Sequence, residues 1–487
     1  MSKNISDLEP RKVWQNFYEI TQIPRPSKKE EKIIRFVEQF GKNLGLETIR
    51  DSVGNILIRK PATPGMESKK GIILQAHLDM VPQKNNDKIH DFEKDAIETI
   101  IDGEWVRANK TTLGADNGIG VASILSVLES DDLSHGPLEA LFTIDEETGM
   151  TGAFALQAGM LKGDLLLNTD SEGEGELYVG CAGGVDANIR FRFKPLPVEN
   201  NFLPYKLIIK GLKGGHSGLD INLERANSNL LLIRIVWRAT FKFKAKLSAL
   251  NGGDLRNAIP REASAVMLVP KDKESEFLKF FNGHVAILKS EYRTVEPDMS
   301  IYLEKTEMPA TFIDEETQNK LISAIYTCPN GVIRMSSELE GIVETSTNLA
   351  IVKTSKDEVT IQCLLRSSVD SAKEDLSARI RALFEMAGAE VTFSGSYPGW
   401  KPNPDSVILK IMKEVYQKKF GKIPEVKAIH AGLECGIIGG NYPALDMISF
   451  GPTIRSPHSP DERVKIDTVH KFWDFLVETL KSVPDKN

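Results

Sequence analysis

Three short, almost continuously apolar runs, GIILQAHLD, PLEALFTID and DLLLNTD, constrain most strongly what this chain can fold into. Each reads as a strand buried on both faces. Segments with helical spacing surround them: RKVWQNFYEIT and KKEEKIIRFVEQFGKNLG before the first, DNGIGVASILSVLES between the first and second. Apolar strands alternating with helices predict a mostly parallel sheet covered by helices. The tail repeats the pattern: SVILKIMKEVYQKKFG is helical, PEVKAIH and LDMISFG are strand-like, and IDTVHKFWDFLVETLKSV is an amphipathic helix.

The middle of the chain differs. It alternates strands such as YKLIIKG, ASAVMLVP and SIYLEK with helical segments such as ERANSNLLLIRIVWRATF and SAKEDLSARIRALFEMAG. NLAIVKTSKDEVTIQCLLRSS reads as a hairpin turning at Ser355-Lys356-Asp357. This is the pattern of an α+β domain, compatible with two βαββαβ-like halves although no sequence repeat is evident. The expected organisation is an α/β domain, residues 1–186 and 392–487, interrupted by an inserted α+β domain over residues 187–391. A length of 487 residues exceeds what one hydrophobic core usually supports.

Composition narrows the function classes. A net charge of −7 offers no basic field for nucleic acid or an anionic membrane. No apolar stretch reaches the roughly 18 residues that span a bilayer. The start, MSKNISDLEPRKVWQNF, lacks the apolar run of a signal peptide. Four cysteines lie far apart with no C-x-x-C pair, so a reducing cytoplasm is the expected home.

The chemistry concentrates where the apolar strands end. His77 and Asp79 close the first strand and share one side of it. Imidazole suits zinc, and a neighbouring carboxylate can fix its other nitrogen. Asp116 stands near the start of the following helix, where by itself it reads as an N-cap. Asp145-Glu146-Glu147 ends the second strand, as an acidic turn or as acids awaiting a cation. Asp170 follows the third, as a ligand or an Asx turn. His458, in SFGPTIRSPHSPDE, follows another strand. Taken together they fall at the edge where open α/β sheets bind ligands. Five such ligands would hold two divalent ions with one bridging carboxylate.

The set HLD, GADNGIG, DEETG, NTD and SPHSPDE, in that order, resembles the M20 family of dinuclear metallopeptidases over essentially the whole chain. NKTTLGADNGIG, GLKGGHSGLDIN and SYPGWKP are most similar to its aminoacyl-histidine dipeptidase branch. The resemblance implies that His77, Asp116 and Asp170 hold one metal and Asp116, Glu147 and His458 the other. It makes Glu146 the general base, Asp79 the partner of His77, and the inserted domain a lid. His216, in GGHSG, inherits the role of a lid histidine that donates to the oxyanion, in its own chain or a neighbour's. Asn257 and Arg366 match lid positions that touch substrate, and Glu434 is a candidate for anchoring a substrate amine. The implied activity is hydrolysis of unblocked dipeptides, Xaa-His included, by a metal-bridged water. Zn²⁺ is the expected metal, with Mn²⁺ and Co²⁺ also suited to this O/N ligand set. A cytoplasmic homodimer is expected. A tripeptidase, aminoacylase or desuccinylase would share the same ligands, and an inactive binding protein on the same fold would be expected to lack one.

Overall fold

The computed structural model describes residues 4–486. The chain divides into two compact units. The first comprises residues up to 180, 402–428 and 433 onward; the second comprises 181–401 and 429–432. The crossings therefore fall at 180/181 and 401/402 rather than near 186 and 392. Backbone pairing explains the difference: Cys181 and Trp400 exchange two hydrogen bonds, both 2.9 Å, and extend the second unit's ladder to its edge.

The first unit is built on an eight-stranded sheet. Its order is Glu47–Arg50, Ile56–Lys60, Leu138–Thr143, Ile72–His77, Leu165–Asn168, Asp446–Ser449, Glu176–Cys181 and Glu425–Ile429. Ile72–His77 runs parallel to both its neighbours, and Asp446–Ser449 runs parallel to Leu165–Asn168. Glu47–Arg50 with Ile56–Lys60, Ile56–Lys60 with Leu138–Thr143, and Asp446–Ser449 with Glu176–Cys181 are antiparallel. The sheet is thus mixed, not mostly parallel as expected. Residues 51–55 are one cause: Asp51 accepts N–H bonds from Val53, Gly54 and Asn55, closing a turn too short for a parallel crossover. The central strands carry the core. Ile72, Ile73 and Leu74 are fully buried, each contributing about 1.5–3 kcal/mol by leaving water. The helix Ala115–Glu129 is apolar almost all round and packs between this strand and the helix Arg11–Thr21. A small antiparallel sheet joins Thr99–Asp102, Trp105–Ala108, Arg463–Lys465 and Ile454–Arg455.

The second unit has a nine-stranded antiparallel sheet. One half runs Phe202–Lys210, helix Ser228–Phe243, Lys246–Gly252, Ala263–Pro270, helix Glu274–Glu291, Ser300–Lys305. The other runs Gly183–Arg192, helix Glu315–Thr327, Val343–Thr354, Glu358–Ser367, helix Asp370–Met386, Glu390–Tyr397. Each is a β-α-β-β-α-β unit, and the two meet edge to edge where Asn251 and Gly252 pair with Lys353 and Val352. In the chain, though not in the sheet, the first half is inserted between Gly183–Arg192 and Val343–Thr354 of the other. Among the described residues no helix is long and apolar enough to cross a membrane.

Candidate metal centre

Parallel strands present their carboxyl ends at one edge, and the acidic and histidine residues of the first unit collect there. His77 is the last residue of its strand and is buried. Its Nε2 lies 3.1 Å from Asp116 Oδ1 and 3.2 Å from Asp170 Oδ1, while its Nδ1 faces Asp79 Oδ1 at 3.3 Å. On the far side of Asp116, His458 Nε2 lies 3.2 Å from Asp116 Oδ2 and 3.0 Å from Glu147 Oε2. Asp116 therefore offers one oxygen to each histidine. Ligand atoms of His77, Asp116 and Asp170 lie within 4.8 Å of one another, as do those of Asp116, Glu147 and His458. A third such group joins His77, Glu146 and Glu147.

Local backbone explains why these side chains converge. Asp116 is extended (φ −78°, ψ 113°) and Asn117 is also non-helical (φ −101°, ψ 29°), so the regular helix begins only after them. Both carboxylate oxygens of Asp116 face histidines, Oδ1 towards His77 and Oδ2 towards His458, and not helix amides. In Asp145-Glu146-Glu147 the repulsion is relieved by division. Asp145 adopts a left-handed conformation and accepts the hydroxyls of Thr148 and Thr151. The N–H groups of Glu146 and Glu147 point back at Asp79, at 3.0 and 3.2 Å, and Ser27 Oγ donates to Asp79 at 2.7 Å. Asp79 thereby ties His77 to both glutamates.

The electrostatics follow from burial and crowding. Burial alone would lower His77, but Asp170, Asp116 and Asp79 outweigh it and hold the imidazole well above its ordinary range. Hydrogen bonds donated to Asp116 and Glu147 push His458 up to about 11. Burial pushes Asp170 up to about 7 and raises Glu146 well above the carboxylate range, with Asp170, Glu434 and Glu147 adding to it. Asp79 is held at about 2: burial opposes this, but His77, Ser27 and the Glu146 amide prevail. Asp79, Asp116, Glu146, Glu147 and Asp170 thus face two imidazoles, and Glu147 Oε1 is buried without a hydrogen-bond partner. Orphaned acceptors in a cluster with surplus negative charge fit divalent cations.

Glu434, at the start of the helix Glu434–Asn441, is fully buried. Its Oε2 accepts from Gln75 Nε2 at 2.6 Å and Thr143 Oγ at 2.7 Å, and its Oε1 has no partner. In the second unit, His216 pairs with Ala258 in a short ladder, and the N–H of Ser217 donates to Asn257 O at 2.8 Å. His216 Nδ1 accepts from the N–H groups of Gly218 and Leu219 at 3.2 and 3.0 Å, which leaves the proton on Nε2. Burial and Arg366 lower its pKa, favouring the neutral ring. Arg366 is itself buried, with one nitrogen 3.1 Å from Tyr397 Oη and its Nε unpartnered.

Sequence reasoning passed over Arg25, Gln75, Asn117 and Glu462. Asn117 Nδ2 donates to Asp170 Oδ1 at 2.7 Å, and Asn168 Nδ2 donates to Gln75 Oε1, extending the bonds that hold Glu434. Glu462 lay inside the quoted SPHSPDE motif, where its spacing from His458 was the available signal.

Two histidines and three carboxylates at one sheet edge, grouped as overlapping triads that share Asp116, have the form of a dinuclear hydrolase centre. The chain belongs to peptidase family M20/M25/M40, whose signature matches residues 73–482. It is 46% identical to the cytosol non-specific dipeptidase of Escherichia coli (strain K12) over 482 residues, 99% of each chain. It resembles the crystal structure of aminoacylhistidine dipeptidase from Vibrio alginolyticus with a TM-score of 0.95 and 49% identity, covering 100% of this chain and 99% of that one. Aminopeptidase PepT from Bacillus cereus shares the fold, with a TM-score of 0.58 at 17% identity over 98% and 99% of the two chains.

Proposed function

We infer that this peptidase-family member is a metal-dependent dipeptidase acting on unblocked dipeptides, Xaa-His among them. The observation that carries the reading is the shared carboxylate: Asp116 faces His77 with one oxygen and His458 with the other. The near-full-length likeness to two dipeptidases supports it. In this reading His77, Asp116 and Asp170 hold one divalent cation and Asp116, Glu147 and His458 the other. The O/N donor set suits Zn²⁺, and also Mn²⁺ or Co²⁺. Bound cations supply Lewis acidity, lowering the pKa of a water and polarising the scissile carbonyl.

The chain's own groups do the rest. Glu146 takes a proton from water as the new C–O bond forms and delivers it to the departing amine as the C–N bond breaks. Asp79 holds the His77 ring and both glutamate amides in register. His216 donates from Nε2–H to the oxyanion. Arg366 engages the substrate's carboxylate, Asn257 also touches substrate, and the unpartnered Oε1 of Glu434 receives its free amine. The second unit acts as the lid. The Escherichia coli relative's name supports a cytoplasmic location. The outer strands Ser300–Lys305 and Glu390–Tyr397, open to a second copy, support a homodimer. The test is turnover of Ala-His, carnosine, a tripeptide and an N-acetyl amino acid, before and after chelation. Chelator-sensitive hydrolysis confined to the dipeptides is expected. Equal turnover of the blocked or longer compounds would overturn the substrate assignment.

A further inference from the structure

The loop before Asp116 is held by a side chain that no metal role accounts for. Residues 113–116 turn through Gly114 so that four successive amides point the same way. Glu462 Oε2 accepts from Leu113 N at 2.8 Å and Gly114 N at 2.9 Å; its Oε1 accepts from Ala115 N at 2.7 Å and Asp116 N at 3.2 Å. The carboxyl is buried, at 2% exposure. Arg25, also 2% exposed, holds the same loop by a carbonyl, donating to Gly114 O at 2.5 Å. The Arg25 guanidinium also donates to Leu78 O and Asp79 O, both at 2.8 Å. A Cβ on Gly114 would come within 2.6 Å of Arg25, so the loop and the guanidinium fit closely.

Three segments carry the proposed ligands on this side of the centre: 77–79, 113–116 and 458–462. Arg25 joins the first to the second through carbonyls, and Glu462 joins the third to the second through amides. The last of those amides belongs to Asp116 itself. The turn bearing Glu462 is also constrained, since Ser456 and His458 adopt left-handed φ values of 54° and 58°. A shift of Glu462 would therefore move the Asp116 backbone relative to His458, and a carboxylate serving two cations tolerates little displacement.

We propose that Glu462 is a positioning residue that sets Asp116 between the two cation sites by gathering the four amides of residues 113–116. It touches neither substrate nor metal; it acts through Asp116. The proposal rests on the dinuclear reading given above. A neutral amide cannot replace it, because the –NH₂ of a glutamine would face N–H donors.

The experiment titrates the metal-free full-length protein with Co²⁺, followed by visible absorption and calorimetry. The wild type takes up two equivalents. Glu462→Gln stays folded, binds Co²⁺ about 10- to 100-fold more weakly, and changes the ligand-field bands of the bound ions. Glu462→Asp, which keeps the charge, recovers part of both. A purely structural role would lower the thermal midpoint of the metal-free variant and leave the bands unchanged. Glu462→Gln with wild-type affinity and bands overturns the proposal. If it does not fold, Glu462→Asp carries the test with the same expectations against wild type; failure of both to fold makes Glu462 a determinant of the fold and also overturns it. A wild type taking up fewer than two equivalents overturns the dinuclear reading, and this proposal with it.

Discussion

Glu146 and Glu147 are adjacent in sequence but meet different surroundings. Glu147 lies 3.0 Å from His458 with its second oxygen orphaned, whereas Glu146 is raised by burial and by neighbouring carboxylates. Glu146→Gln should fold, retain metal and lose about 10²–10⁴-fold in turnover. Glu147→Gln should instead lose metal on dialysis, with activity returning at high metal concentration. Turnover and metal content measured together decide, and the reverse pattern sinks this division of labour. The acids and histidines were legible in the sequence because their side chains are unusual at the ends of apolar strands. Arg25 and Glu462 were not, because their partners are backbone amides and carbonyls, which every residue type supplies. Asp116 also read as a helix cap; in the structure its two oxygens face His77 and His458.

At the scale of elements, the turn 214–218 holds His216 with one nitrogen spent on two amides and the other free to donate. His216→Ala should lower kcat by about 10²–10³-fold if Nε2–H serves the oxyanion, with metal content and fold unchanged. Steady-state kinetics beside metal analysis check this; near-normal turnover removes the residue from the reaction. The hairpin at residues 355–357 was legible, and Ser355 N donates to Glu358 O at 2.8 Å as such a turn requires. The antiparallel flank of the first sheet was not. Glu47–Arg50 is short and partly exposed and Ile56–Lys60 has only three buried apolar residues, so their signal is brief, and the N–H groups collected by Asp51 close a turn that apolar patterning does not reveal.

At the scale of the whole molecule, protons and cations compete for the same histidines. In the metal-free protein His458 is raised to about 11. Its protonated form therefore stabilises that state fully below its unfolded value of about 6.5, and the contribution is lost as pH rises through about 11. Cation uptake runs the other way, because the imidazole must release its proton to become a ligand. Metal affinity should rise between about pH 6 and about pH 8, near tenfold per unit for each proton displaced, with proton release seen by calorimetry in buffers of different ionisation enthalpy. A pH-independent affinity would remove His458 from the ligand set. Added metal should also raise the thermal midpoint, since the sites exist only in the folded chain.

The strand Asp446–Ser449 lies between Leu165–Asn168 and Glu176–Cys181, although the whole second unit separates it from them in the chain. A ribosome that has delivered residue 180 has released both walls of a gap but not the strand that fills it, nor His458. The second unit repeats this arrangement, since Gly183–Arg192 must wait for Glu358–Ser367 while one complete half is made in between. Assembly is nested like brackets, the inner half closing first and the hydrolytic sheet last. A chain interrupted before its tail therefore lacks His458, and the full ligand set comes together only once nearly the whole chain has emerged.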